Sequence, residues 1–340
     1  MREFKGYKHG VNLGGWFSQC DHSEKRYDYF VRRDDFRRIA RWGFDHVRIP
    51  VDYELILNDD RSFNESGFSR LQSCVNWCAE DGLNMILDLH KTPGFSFDAG
   101  ENEDGFFVNA KYQQLFCDIW KEFAKRFGHY EHLSFELLNE VSDPAFSDKW
   151  NEISRRAVIA IRKHAPHIHI LIGGYYNNSV TAVKDLDVPY DRDIVYNFHC
   201  YSPLVFTHQG AYWISGMDRS FRTSFLRPYS DYARMTKEQI GPEFVEKYPD
   251  EDEVMSADYF EKLFEEALRI AEERDVPLYC GEYGVIDLAD PEETVKWYEC
   301  IHGVFEKYGI GRALWSYKEM DFGLVDAHYD PVRDRLLELK

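Results

Sequence analysis

The sequence predicts an α/β fold, a (β/α)8 TIM barrel, from three observations. Eight short apolar or β-branched runs recur along the chain, amphipathic segments lie between them, and reactive polar residues gather where the runs end. At 340 residues a two-domain prior would apply, but an α/β barrel of this length commonly forms one domain. An open doubly wound sheet is the alternative. It is disfavoured because no G-x-G-x-x-G follows the first run.

The strand-like runs are residues 10–13 (GVNL), 46–51 (HVRIPV), 85–90 (MILDLH), 133–140 (LSFELLNE), 169–173 (HILIG), 194–201 (IVYNFHCY), 277–283 (PLYCGEY) and 312–317 (RALWSY). The helical segments carry apolar stripes at i, i+3/i+4 and i+7. Residues 67–81 place Leu71, Cys74, Val75 and Cys78 on one face, with Gly82 as the cap beyond. Residues 256–274 align Phe260, Leu263, Phe264, Ala267 and Leu268, and residues 291–308 align Tyr298, Ile301, Phe305 and Tyr308.

One connection breaks the rhythm. Residues 202–255, rich in aromatics and charge, form an insertion after the sixth strand, expected to be a cleft wall or lid. Its acidic PDEDE run reads as a solvated loop. With no repeat, low-complexity tract or linker, residues 1–340 read as one domain.

Lys and Arg number 41 against 60 Asp and Glu, a formal charge of −19, which argues against nucleic-acid or anionic-membrane partners. The 44% apolar content allows a large core, and 16% aromatics leave rings to stack on a neutral, ring-shaped ligand. Seven cysteines (20, 74, 78, 117, 200, 280, 300) form an odd, scattered set that suits a reducing compartment. Together with the opening MREFKGYKHG, which has no apolar leader core, they set the expectation of a cytoplasmic protein, or a secreted one whose leader has been removed. No apolar run approaches the ~18 residues of a membrane span.

In a barrel the chemistry forms at the carboxyl ends of the strands. Those ends offer Arg48, His90, Asn139 with Glu140, His199 with Tyr201, Glu282 and Trp315. Glu140 and Glu282 lie among apolar neighbours on different strands, where an unpartnered carboxylate would cost several kcal/mol. Two carboxylates, an arginine, two histidines, an amide and an indole at one face fit glycoside hydrolysis.

The ordered motifs R-I-P, L-D-L-H, L-N-E, F-H-C-Y, G-E-Y-G and L-W-S-Y, between GVNLGGW and ALWSYKEMDFGL, resemble glycoside hydrolase family 5, cellulase-like retaining β-glycanases on (β/α)8 barrels. The resemblance implies Glu140 as the acid/base and Glu282 as the nucleophile, their carboxyl groups about 5–5.5 Å apart. Arg48 and the Tyr201 hydroxyl would favour an ionised nucleophile. Asn139 would donate to the sugar 2-hydroxyl, His90 and His199 would bind hydroxyls and orient the acids, and Trp315 would form the stacking floor. Trp16, Phe17, Phe107, Tyr176 and Trp213 are candidates for outer subsites, set against ordinary packing. His9, His22, His208 and Asp321 offer further polar groups.

The implied reaction is hydrolysis of β-1,4-glucan or cello-oligosaccharides without a cofactor or metal. Where many cellulases of the family carry H-x-x-x-G-x-N-H, this chain reads HKTPGFSFDAG, a form that with GVNLGGW also resembles exo-acting β-1,3-glucanases. A β-glucosidase or a mannan- or xylan-active enzyme is an alternative within the class, and a non-catalytic carbohydrate-binding barrel is the alternative outside it. H-E-x-x-H, P-loop and G-x-S-x-G patterns are absent, and His129 and His132 lack a carboxylate partner pattern for metal.

Overall fold

The computed structural model describes residues 1–98, 105–246 and 253–340. Eight parallel strands close a barrel in chain order: β1 (His9–Asn12), β2 (His46–Val51), β3 (Asn84–Leu89), β4 (Leu133–Glu136), β5 (His169–Gly173), β6 (Ile194–Cys200), β7 (Leu278–Tyr283) and β8 (Gly311–Leu314). The ring shuts where β1 pairs with β8, Gly10 opposite Ala313. Helices cover the outside, so both strand faces are buried and the strands read as apolar runs rather than alternating ones.

The principal outer helices are α1 (Arg33–Arg41), α2 (Glu65–Asp81), α3 (Ala110–Phe127), α4 (Ser147–Arg162), α5 (Tyr229–Gln239), α6 (Ala257–Glu273), α7 (Pro291–Tyr308) and α8 (Arg333–Leu339). The Asn64 side chain caps the start of α2, and Gly82, in a left-handed conformation, ends it as the periodicity predicts. Leu71, Cys74, Val75 and Cys78 are buried against the barrel. The Asp290 side chain accepts from the amides of Glu292 and Glu293 to start α7, with Pro291 in the first turn. Between β5 and β6 the helical layer thins to a short turn at Tyr175–Asn178 and a 3-10 helix at Val180–Asp185.

The fourth and eighth runs shorten in the structure. β4 ends at Glu136 and β8 at Leu314, so Asn139, Glu140 and Trp315 lie just beyond the ladders rather than within them. The insertion is ordered around Leu204–Thr207, α5 and Pro242–Phe244 and packs over the ends of β7 and β8, where the Ile286 amide donates to the Thr207 carbonyl. Most of the PDEDE run lies outside the described residues. All seven cysteines are free, and burial pushes the Cys74 and Cys78 thiols up, leaving them packing groups. No described helix is long and apolar enough to cross a membrane.

At the amino end the lumen is filled by Ile86, Leu171, Val195, Tyr279 and Ala313 and plugged by Phe4 and Tyr7, whose rings stack at 4.1 Å. Each buried aromatic or branched side chain there contributes roughly 1.5–3 kcal/mol.

Candidate active site

Above that plug the lumen turns polar around one side chain. Arg48, on β2 and fully buried, donates from Nε and Nη2 to the two oxygens of Glu136 at 2.7 and 2.8 Å. Its Nη1 donates to Asn12 Oδ1 (2.9 Å) and Glu282 Oε1 (2.8 Å), and its Nη2 to Asn139 Oδ1 (2.8 Å). Asp88 Oδ2 lies 2.9 Å from Nη2. The planar guanidinium thus joins residues from β1, β2, β3, β4 and β7, and fixes where the strand-end groups stand.

Glu282, next to last in β7, has both oxygens engaged, Oε1 by Arg48 and Oε2 by the Tyr201 hydroxyl at 2.9 Å. One donor is a cation, so the arrangement stabilises negative charge on this carboxylate. Glu140 sits in different surroundings. Its Oε2 accepts from the Asn177 amide and its Oε1 faces His199 Nδ1, each at 2.8 Å, with no cation in direct contact among the described residues. Burial raises its pKa to about 7. An oxygen of each glutamate and a ring nitrogen of His199 lie within 4.8 Å of one another.

The histidines are neutral, each pushed down to about 4 by burial. For His199 the hydrogen bonds fix the tautomer: Nδ1–H donates to Glu140, and Nε2 accepts from the Asn178 amide at 3.3 Å. His90 donates from Nδ1 to Asp88 Oδ2 at 2.6 Å, which leaves Nε2 a buried acceptor with no partner among the described residues. Burial also raises Asp88, to about 7, against the pull of Arg48. The Trp315 ring lies parallel to His90 at 6.0 Å and packs with Ala211, Ile286 and Phe322, so the insertion reaches the indole.

Two glycines of the sequence motifs are explained by close approach. A Cβ on Gly14 would stand 2.7 Å from the Trp315 ring, and one on Gly281 would stand 2.7 Å from Asn197 Oδ1 and 3.1 Å from His199 Nε2.

Arg48, His90, Asn139, Glu140, His199, Tyr201, Glu282 and Trp315 therefore meet at one end of the barrel. Three outer candidates do not reach it. Trp16 and Phe17 stack on each other at 3.8 Å inside the core, the indole N–H donating to the Tyr27 carbonyl, and Phe107 stacks on Phe146 at 4.3 Å. Their rings satisfy one another and have no surface left for a sugar. Tyr176 and Trp213 are exposed, Trp213 edge-on to His208. His208 is buried against Tyr201 and Phe322 and pushed down to about 3, while Asp321 is half-buried with its pKa raised by desolvation.

Sequence reasoning missed Asn12, Asp88, Glu136, Asn177, Asn178 and Asn197. Asp88 and Asn197 stand two residues before His90 and His199, so strand alternation puts them on the same inward face one level lower. Asn197 donates to Glu136 Oε1 at 2.8 Å and accepts from the Gly281 amide at 3.0 Å.

The family model for cellulase (glycosyl hydrolase family 5) matches residues 7–321. The chain is 47% identical over 313 residues to Cellodextrinase A of Ruminococcus flavefaciens, covering 92% of this chain and 86% of that protein. It is 36% identical over 338 residues to Endoglucanase C of Acetivibrio thermocellus, covering 98% and 97% respectively. The fold matches the crystal structure of an endoglucanase from Thermotoga maritima with a TM-score of 0.76 at 24% identity, over 98% of this chain and 97% of that one. A closed parallel barrel with paired acids at its carboxyl end, together with these relatives, defines a glycosidase. The chain belongs to glycosyl hydrolase family 5.

Proposed function

We propose that this enzyme hydrolyses β-1,4-glucosidic bonds in β-glucan and cello-oligosaccharides with retention of configuration. The carrying observation is the unequal glutamate pair, oxygens within 4.8 Å, one held by a cation and a phenol and the other raised to about 7 by burial. Inverting enzymes need about 6.5–9.5 Å between carboxyl groups to admit a water, whereas retaining ones use about 5–5.5 Å. Names of relatives that speak of cellodextrins and glucans support the β-1,4 linkage.

On this reading Glu282 attacks the anomeric carbon while Glu140 protonates the departing glycosidic oxygen. The ester that forms removes the charge on Glu282, and Glu140, now a carboxylate, draws a proton from the water that cleaves it. Arg48 occupies the oxygen of Asn139 and leaves its amide nitrogen to donate to the sugar 2-hydroxyl. His90 Nε2, with no partner among the described residues, accepts from a neighbouring hydroxyl, and Trp315 supplies the apolar floor. The insertion forms the cleft wall behind that floor.

Proton NMR of cellopentaose cleavage tests the mechanism: β-anomers should appear first, and α-anomers would overturn it. Glu282→Gln should lose roughly 10⁶-fold in kcat, the scale seen when a serine protease loses its nucleophile. The HKTPG sequence after β3 favours a β-1,3-glucan as the second reading, and laminari-oligosaccharides assayed beside cello-oligosaccharides separate the two.

A further inference from the structure

We propose that His22, Asp52 and Glu54 form a divalent transition-metal site, of the Zn²⁺ class, which pins the chain after β1 to the chain after β2. One ligand atom from each residue lies within 4.8 Å of the other two, and the three converge from two separate connections. The donor set is one imidazole nitrogen and two carboxylates, which suits a borderline metal that completes its coordination with water.

Two further observations point to a cation. Asp52 is fully buried, yet its Oδ1 has no hydrogen-bond partner among the described residues, while Oδ2 accepts from the Gln19 amide at 2.9 Å and lies 3.4 Å from His22 Nε2. A buried carboxylate with an unanswered oxygen is costly unless a positive group meets it. The second observation is the orientation of His22. Its Nδ1 lies 2.9 Å from the Tyr27 hydroxyl and 3.7 Å from Cys20 Sγ, so the ring is held from behind with Nε2 turned to Asp52. Metal-ligating histidines are positioned in this way, the far nitrogen anchored and the near one presented. His22 keeps this pose with a φ of 53°, a left-handed conformation uncommon for a residue with a side chain.

One group competes. Lys91 Nζ stands 3.8 Å from Asp52 Oδ2 and 3.4 Å from Asp98 Oδ2. It can pair with Asp98 alone and leave Asp52 to the metal, but its charge must weaken binding. That gives the site a distinctive test, because removing a lysine should strengthen metal affinity only if the metal sits beside it.

The full-length protein, stripped with a chelator, should be titrated with ZnCl₂ by calorimetry, and its melting temperature followed with and without Zn²⁺. One equivalent should bind and raise the melting temperature. His22→Ala and Glu54→Gln, the latter on an exposed side chain that folding does not need, should each lose tenfold or more in affinity and abolish the thermal shift. Lys91→Gln should bind at least several-fold tighter. Cellopentaose hydrolysis by Glu54→Gln without metal should match the wild type, which separates this site from the catalytic pair. No stoichiometric binding, or Zn²⁺ affinity equal in wild type, His22→Ala and Glu54→Gln, would overturn the assignment.

Discussion

The two ends of the barrel lumen use the same kinds of side chain to different effect. At the amino end His46 lies 2.5 Å from Asp45 Oδ1 and 2.6 Å from the Tyr279 hydroxyl, under a plug of Phe4 and Tyr7, so both ring nitrogens are spent. At the carboxyl end, among the described residues, His90 is spent on one side only, and Glu140 is buried without a cation in direct contact. A histidine–acid–tyrosine chain that closes on itself is structure. The same groups left with an unanswered atom, beside an aromatic face, are available to a substrate. Between the two ends stands Arg48, which belongs to both: it neutralises the buried acids of the middle layer and aims Asn139 and Glu282 upward.

Breaking that hinge should have the largest effect. Arg48→Met leaves Glu136 and Asp88 buried without their cation and should cost ~3–5 kcal/mol in chemical denaturation, with loss of turnover. Arg48→Lys restores the charge but not the planar fork, so it should recover more stability than activity. Equal recovery of both would mean that Arg48 serves the fold alone.

Glu140→Gln comes next and separates activity from stability. A carboxyl group raised from 4.5 to about 7 binds its proton more tightly in the folded than in the unfolded chain. Its contribution is therefore fully present below about pH 4.5 and is lost as pH rises towards about 7. The glutamine variant does not titrate, so its stability relative to wild type should grow across that window, reaching up to ~3 kcal/mol by pH 8, while cellopentaose turnover collapses. Melting curves at pH 4.5 and pH 8 check this; a gap that does not widen with pH would refute the raised carboxyl.

How much of this contrast the sequence reveals depends on where a residue stands. Groups at or next to the strand ends are legible because polar residues that close apolar runs mark both the strand and its upper rim, as His90, Glu140, His199 and Glu282 do; Arg48 stands mid-strand in β2, and its side chain reaches the site from the layer below. The middle layer is harder, since Asp88 and Glu136 interrupt runs that otherwise look wholly apolar, and only the alternation of two reveals that they face inward. Asn177 was invisible, because it reaches Glu140 from a turn in which Tyr176, Asn177 and Asn178 all have left-handed backbones, a geometry that no periodicity encodes. Trp16, Phe17 and Phe107 failed for the opposite reason: aromatic rings in a barrel connection can stack on each other as readily as on sugar.

At the closed end, Tyr279→Phe removes one hydroxyl from the His46 chain and should cost about 1 kcal/mol of stability. The catalytic constants should not move, because nothing at that end touches the acids above the Arg48 layer. A change in kcat/KM would show that the two ends are coupled and would undo the division drawn between them.

The finest test acts on a single hydrogen bond at the open end. The Asn177 amide donates to Glu140 Oε2 and so favours the carboxylate, pulling its pKa down against the dominant effect of burial. Asn177→Ala removes the donor and leaves the burial, so Glu140 should hold its proton to higher pH. Because the acid form starts the reaction, the alkaline limb of kcat/KM, expected near pH 7, should move upward by a fraction of a unit. A hydrogen bond with no part in tuning the acid would lower kcat or stability in this variant yet leave that limb where it was. The direction of the shift therefore tells whether the left-handed turn after β5 merely crowds the active-site rim or sets the pH at which the enzyme works.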